Sequence, residues 1–247
     1  MSADPRGTAP DGGRRAQIAA GLVRVEERIT AACAAAGRDR AELTLVAVTK
    51  TFPAADVAHL AALGVRDVGE NRDQEAAGKA AVCREAGLDG LVWHFVGQLQ
   101  RNKAGSVATY ADVVHSVDRL RLVPALDRAA EAAGRRLTAL VQVDLRDEPG
   151  DDGRGGAAPG DVAGLAAAVA AADRLDLGGV MAVAPADEDP DAAFSRLEEV
   201  TARLRADHPA AVAVSAGMSG DLEAAVRHGA THLRVGSALL GSRPPLG

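Results

Sequence analysis

One lysine stands where packing alone does not explain it. Lys50 closes the apolar run Leu43-Thr44-Leu45-Val46-Ala47-Val48-Thr49-Lys50 and is followed by Thr51-Phe52-Pro53. An ammonium at the mouth of a buried strand loses hydration, which lowers its pKa and exposes the neutral, nucleophilic amine that Schiff-base chemistry needs. A strand-end lysine can equally snorkel into water, so the reading turns on what gathers around it. Three groups qualify: Arg234, the run Ser215-Ala216-Gly217-Met218-Ser219-Gly220, and the pair Gly236-Ser237. Glycine and serine at the opening of a helix offer backbone amides and hydroxyls to an anion. Ser219 or Ser237 is also expected to cap its helix. Asp221 and Glu223 follow the first run and would repel an anion, which favours Gly236 and Ser237 as its seat.

The elements that must bring these residues together repeat one unit: a short apolar run, a polar turn, then an Ala-rich helical stretch. The strand-like runs are Leu43 to Lys50, Arg66 to Gly69, Leu91 to Gly97, Val113 to Val117, Thr138 to Leu145, Leu175 to Ala184, Ala211 to Gly217 and Thr231 to Gly236. Helical composition fills 54–63, 71–86, 100–109, 119–133, 160–173, 190–206, 220–228 and a short piece from Ser237. Eight such βα units predict an α/β protein with a closed parallel (β/α)8 TIM-type barrel. The competitor, an open doubly wound sheet, would ordinarily carry a Gly-rich turn after its first strand, and no GxGxxG or Walker pattern is present. Ile18, Leu22, Val25 and Ile29 have helical spacing and add a helix from Arg14 to about Ala36 before the first strand. Residues 1–13 read as a disordered lead-in to a single domain over 14–247, and Arg146 to Gly160 reads as a mobile cover over the barrel mouth.

Barrel chemistry lies at the carboxyl ends of the strands. Those ends carry Lys50, Glu70 and Asn71, Gly97 and Gln98, His115 and Ser116, Asp144, Met181, Ser215 to Ser219, and Arg234 to Ser237. Side chains alternate along a strand, so Val46, Val48 and Lys50 share one face and His232, Arg234 and Gly236 another. On closure the first and eighth strands are neighbours, which aims Lys50 and Arg234 at one small site. A neutralisable lysine, an arginine and a phosphate seat describe a site for an aldehyde phosphate, and pyridoxal 5'-phosphate fits all three. Arg234 would meet its pyridine nitrogen and, unlike a carboxylate, would leave the ring a weak electron sink.

Composition removes other classes. The formal charge of -6 without a basic run, and an aromatic content of 2%, argue against nucleic acid. No segment approaches the roughly 20 apolar residues of a membrane span, and the polar amino terminus lacks a secretory core, which predicts a cytoplasmic protein. Cys33 and Cys83 have neither CxxC spacing nor a histidine cluster and read as buried, inert thiols; no metal site is expected.

The segments Val46-Ala47-Val48-Thr49-Lys50, Gly69-Glu70-Asn71, Trp93-His94-Phe95-Val96-Gly97, Leu99-Gln100-Arg101-Asn102-Lys103, His115-Ser116-Val117-Asp118, Gly217-Met218-Ser219-Gly220-Asp221 and Arg234-Val235-Gly236-Ser237 occur in this order. Together they resemble the pyridoxal phosphate homeostasis protein family, from about residue 15 to the end. The family is similar to the barrel domain of bacterial alanine racemases, lacks their second domain and has no established catalytic activity. The resemblance implies that Lys50 carries the cofactor as a Schiff base and that Arg234 meets the ring nitrogen. It further implies that Ser215, Gly217, Ser219, Gly236 and Ser237 surround the phosphate, that Asn71 and Met218 bind the cofactor elsewhere in the pocket, and that Lys103 takes part in cofactor transfer. It also implies a monomer whose partners are apo-enzymes requiring the cofactor. The chain departs from the family pattern at Arg72, usually Tyr, at Gln98, usually Pro, and at Arg154-Gly155-Gly156, an approximate substitute for a Lys-x-Gly element.

Two other readings use the same lysine: a racemase-like enzyme and a cofactor-free aldolase. Racemisation needs an acid/base on each face of the substrate carbon. The single tyrosine, Tyr110, is predicted away from the barrel's carboxyl end, and His94 and His115 read as structural histidines.

Overall fold

The computed structural model describes residues 11–146 and 155–241. Helix α1 (Asp11–Ala36) leads into β1 (Thr44–Val48), α2 (Ala54–Ala62), β2 (Asp67–Glu70), α3 (Asp73–Glu85), β3 (Val92–Phe95), α4 (Ala104–Tyr110) and β4 (Val113–Val117). The second half continues with α5 (Val123–Ala132), β5 (Leu137–Val143), α6 (Val162–Ala170), β6 (Leu175–Ala182), α7 (Pro190–Asp207), β7 (Ala213–Ser215), α8 (Leu222–Arg227), β8 (His232–Val235) and α9 (Ser237–Leu240). The eight strands are parallel and close in chain order, β1 pairing with both β2 and β8. This is the expected (β/α)8 barrel, in one domain. No helix among the described residues is long and apolar enough to cross a membrane.

The strands are nearly continuous apolar runs because parallel strands are covered on one side by helices and filled on the other by side chains. Outside the barrel, Val57 and Leu60 of α2, Leu126 of α5, Val169 of α6 and Phe194 and Leu197 of α7 are fully or almost fully buried. Helix α1 adds Ile18, Val25 and Ile29 to the same core. It begins at Asp11, so residues 11–13 of the expected lead-in belong to its first turn, while residues 1–10 lie outside the described residues.

The expected strands overshoot at their carboxyl ends. Lys50, Gly97, Ala184, Gly217 and Gly236 all fall past the last paired residue, because the backbone there leaves the ladder to build the barrel mouth. Residues 147–154, which hold most of the expected cover and Arg154, lie outside the described residues. The described end of that loop is fastened to β5: Ala157 N–H donates to Gln142 O at 2.8 Å and Asp144 N–H to Ala157 O at 2.9 Å.

One irregularity shapes the ladder. Between β5 and β6 the register runs Ala139 with Leu177, then Leu140 with Gly179, so Gly178 and Gly179 oppose a single step of β5. Gly179 has φ +147°, and a Cβ on it would lie 1.9 Å from Ala213 O of β7. Gly179→Ala should therefore lower stability by about 2–4 kcal/mol in urea titrations, through left-handed strain and a backbone clash between β6 and β7. A loss below about 0.5 kcal/mol, the size of an ordinary surface change, would show that the bulge does not need glycine.

Candidate functional site

Lys50 sits at the corner of a tight turn. Thr49 N–H donates to Gly69 O at 2.9 Å, and Phe52 N–H returns to Thr49 O at 3.0 Å. Thr51, the third residue of this turn, has φ +70°, alone among the described non-glycine residues in being positive. A threonine reaches this region only when its surroundings over-determine it. Here its amide donates to Glu75 Oε1 on α3. Lys79, also on α3, donates to Thr49 O at 2.8 Å and to the carboxylates of Glu70 and Glu75, while Thr49 Oγ1 donates to Glu70 Oε1 at 2.6 Å. Glu70 and Lys79 are both buried; burial pushes the Glu70 carboxyl up, opposed by Lys79 and Thr49. Both neighbours of Lys50 are thus pinned by one ionic cluster, and the lysine between them is half-buried.

Lys50 opens onto a cavity of 290 Å³ that also holds Asn71, Met218, Ser219, Arg234, Gly236 and Ser237 on its wall, with Val48, Phe52, Val96 and Val183 as apolar surface. β1 and β8 are adjacent, Val46 standing opposite Arg234, and the turn that follows β1 carries Lys50 to the cavity that Arg234 also lines. Asn71 is held by a close backbone approach: a Cβ on Gly97 would lie 2.1 Å from Asn71 O. Asn71 also borders two further cavities, one of 240 Å³ beside Gln142, Asp144 and Arg146 and one of 480 Å³ beside Arg72, Gln98 and Lys103.

Two residues expected around an anion do not reach the wall. Ser215, the last residue of β7, points into the barrel, fully buried, and its hydroxyl accepts from Arg234 Nη1 at 2.6 Å. Gly217 turns the chain at φ +90°; its carbonyl accepts the Arg234 N–H at 2.9 Å, and Ala225 and Leu233 fill the space beside its Cα. Both therefore hold Arg234 in place. Nor does either serine cap a helix. The caps are Asp221 for α8 and Gly236 for α9, because Ser237 already lies inside the first turn. The acidic residues after β7 are occupied: Glu223 pairs with Arg28 at 2.9 Å, and Asp221 accepts the Met218 N–H at 2.5 Å. What remains for an anion is the pair of turns at Ser219–Gly220 and Gly236–Ser237. Lys103 lies off this wall, half-exposed and 3.7 Å from Asp73, on the 480 Å³ cavity that Arg72 and Gln98 also border.

Arg234 is 5% exposed, and its bonds inside the barrel go to uncharged acceptors, Ser215 Oγ and Ala182 O at 2.8 Å. Burial pulls its pKa down to about 10, partly offset by Asp221. Below it, neutral histidines replace the usual aliphatic filling. Burial, aided by His94 and Arg234, holds His115 well below the ordinary histidine range, and burial with His94 brings His232 down to about 4 despite Asp67. Tyr110 is buried at the end of α4 on a separate cavity beside Trp93 and Arg135, its hydroxyl pushed up by burial. Cys33 and Cys83 are buried, and burial raises both thiols. Among the described residues, no cluster of histidine, cysteine and carboxylate groups suits a metal.

The ionic cluster behind Lys50 was not read from the sequence. Its signals were a lysine set among buried Ala76, Ala80 and Cys83 on one face of α3, and Glu75 one turn before it.

The profile of the alanine racemase N-terminal domain family matches residues 24–244. A pyridoxal phosphate homeostasis protein of Mycobacterium tuberculosis is 48% identical over 93% of this chain and 94% of its own length. The namesake from Escherichia coli K12 is 39% identical over 92% and 97%. Among solved structures, PipY of Synechococcus elongatus with PLP bound superposes with a TM-score of 0.73 at 35% identity, over 81% of this chain and 93% of that one. The alanine racemase of Streptomyces coelicolor, 20% identical with a TM-score of 0.69 over 93% of this chain and 59% of its own, shares the fold. By profile match, identity and coverage, the chain belongs to the pyridoxal phosphate homeostasis protein family, built on the alanine racemase N-terminal domain.

Proposed function

We propose that this protein binds pyridoxal 5'-phosphate as a Schiff base with Lys50 and stores or delivers it, without catalysing turnover of a substrate. The observation that carries this reading is the convergence of Lys50, Arg234 and the Ser219–Gly220 and Gly236–Ser237 turns on one cavity, in a chain 35% identical to a protein whose structure holds PLP. A volume of 290 Å³ is at the small end for ligand sites and suits a compact aldehyde phosphate. The residues fit the group: a lysine on a rigid turn supplies the amine, Arg234 supplies donors for the ring nitrogen, and two glycine-serine turns receive the phosphate, with Asn71 and Met218 at the sides. Bound there, the cofactor supplies an electrophilic aldehyde, and the protein's part is to hold it and shield it.

Restraint is supported by what the cavity wall lacks. Among the described residues that line it, none is a carboxylate, histidine, tyrosine or cysteine, so no second acid/base stands opposite Lys50. Arginine at the ring nitrogen, where a carboxylate would favour ring protonation, makes a poor electron sink. Lys103 lies outside this cavity, and a part in cofactor transfer is assigned to it here on the family resemblance alone. The reading is completed by a cytoplasmic monomer that delivers the cofactor to apo-enzymes, supported by the family resemblance. The second reading is a racemase-like enzyme, which the shared fold favours.

Purified protein incubated with pyridoxal phosphate should acquire a visible absorbance band that survives dialysis, and borohydride should fix the label on the peptide containing Lys50. Lys50→Ala should lose both; a band that persists, or a label on Lys103 instead, overturns the assignment. Holoprotein incubated with L-alanine or L-serine in deuterated water should leave the α-proton in place. Rapid exchange would establish the racemase-like reading.

A further inference from the structure

Five side chains from five strands form an unbroken hydrogen-bonded line through the barrel. Asp67 opens β2 at the amino-terminal end, 26% exposed. Its Oδ1 lies 2.9 Å from His94 Nε2, and His94 Nδ1 lies 2.8 Å from His115 Nε2. His115 Nδ1 is 2.9 Å from Ser215 Oγ, which meets Arg234 Nη1 at 2.6 Å. The line starts at a partly exposed carboxylate and stops at the guanidinium on the cavity wall.

Counting protons gives it a direction. Arg234 can only donate, so Ser215 Oγ accepts from it and has one proton of its own to place, with His115 Nδ1 in reach. His115 then carries its proton on Nε2 and gives it to His94 Nδ1; His94 carries its proton on Nε2 and gives it to Asp67. The opposite order leaves the Ser215 proton without a place in the line. It also turns a ring lone pair on the Asp67 carboxylate unless His94 takes a second proton, which would add a cation to a barrel that already buries Arg234. The neutral state of His115, fully buried between His94 and Arg234, agrees with the first order. The His232 ring, packed 6.1 Å and 6.5 Å from the other two, is neutral as well and adds no charge.

We infer that Asp67, His94, His115 and Ser215 are positioning residues: a one-directional hydrogen-bond relay that carries the polarisation of a distant carboxylate to Arg234. Aligned hydrogen bonds polarise one another, so each link makes the next oxygen or nitrogen a better acceptor. Ser215 Oγ thereby holds the guanidinium in one orientation through one of its five N–H groups. A carboxylate in the same place would form a bidentate pair, remove two donors and set a negative charge beside the phosphate site. The functional half of this inference rests on the proposed cofactor.

The test is a pair of measurements on wild-type protein and on Asp67→Asn, which preserves shape at a partly exposed position remote from the cavity. In nitrogen-resolved histidine and arginine spectra of cofactor-free protein at neutral pH, His94 and His115 should each carry one proton, on Nε2. Asp67→Asn should move the His115 ring and Arg234 guanidinium resonances, although neither group touches Asp67, and Asp67→Glu should return them toward wild type. Affinity for pyridoxal phosphate should fall about three- to tenfold in Asp67→Asn. His115 protonated on Nδ1, His94 carrying two protons, an effect confined to His94, or unchanged affinity would each overturn the relay. The spectra need no cofactor, so a wild-type protein that fails to bind pyridoxal phosphate overturns the proposed function and leaves the relay to be judged by the spectra.

Discussion

A guanidinium buried in the middle of a barrel must be satisfied or it destabilises everything around it. Arg234 meets this requirement through a hydroxyl and a carbonyl, and much of the interior is arranged to supply them. Ser215 faces inward for this purpose, Gly217 turns back so that its carbonyl meets the Arg234 amide, and His115 and His232, both held below the ordinary histidine range, pack with His94 in the layer below. The cavity above inherits a fixed positive group and no negative one.

The turn after β1 solves a related problem for Lys50. Its neighbours are secured by an ion cluster behind the turn, where Lys79 satisfies Glu70, Glu75 and the Thr49 carbonyl together. Carboxylates and cations are thus divided by depth: Glu70 and Glu75 gather on Lys79 behind the turn, while Lys50 and Arg234 line the cavity. The histidines and the tyrosine of the interior stand off this wall: His94 and His115 are engaged in hydrogen bonds inside the barrel, and Tyr110 lies on a separate cavity.

The barrel was legible because the β1 and β8 runs, and the Ala-rich segments between strands, have the periodicities that their burial demands. Arg234 was legible as a lumen residue by alternation along β8, and Lys50 as its neighbour because closure sets β1 beside β8, although Lys50 itself lies in the turn past the ladder. Ser215 was not, since a strand-end serine can face a ligand or a buried arginine, and only the line from β4 across to β7 decides between them. Ser219 and Ser237 looked like caps by residue type, yet where the helix begins depends on the turn before it, and Asp221 and Gly236 hold those positions. The Glu75–Thr51 contact joins α3 to the β1 turn and leaves no local pattern in either segment.

Asn71 is the shared corner of three cavities, held from behind by the close approach of Gly97. A single residue therefore borders all of them. A shorter residue there would merge compartments, and a bulkier one would shrink several together. The volumes of the three cavities meet at one position, so a substitution there does not change one of them independently of the others.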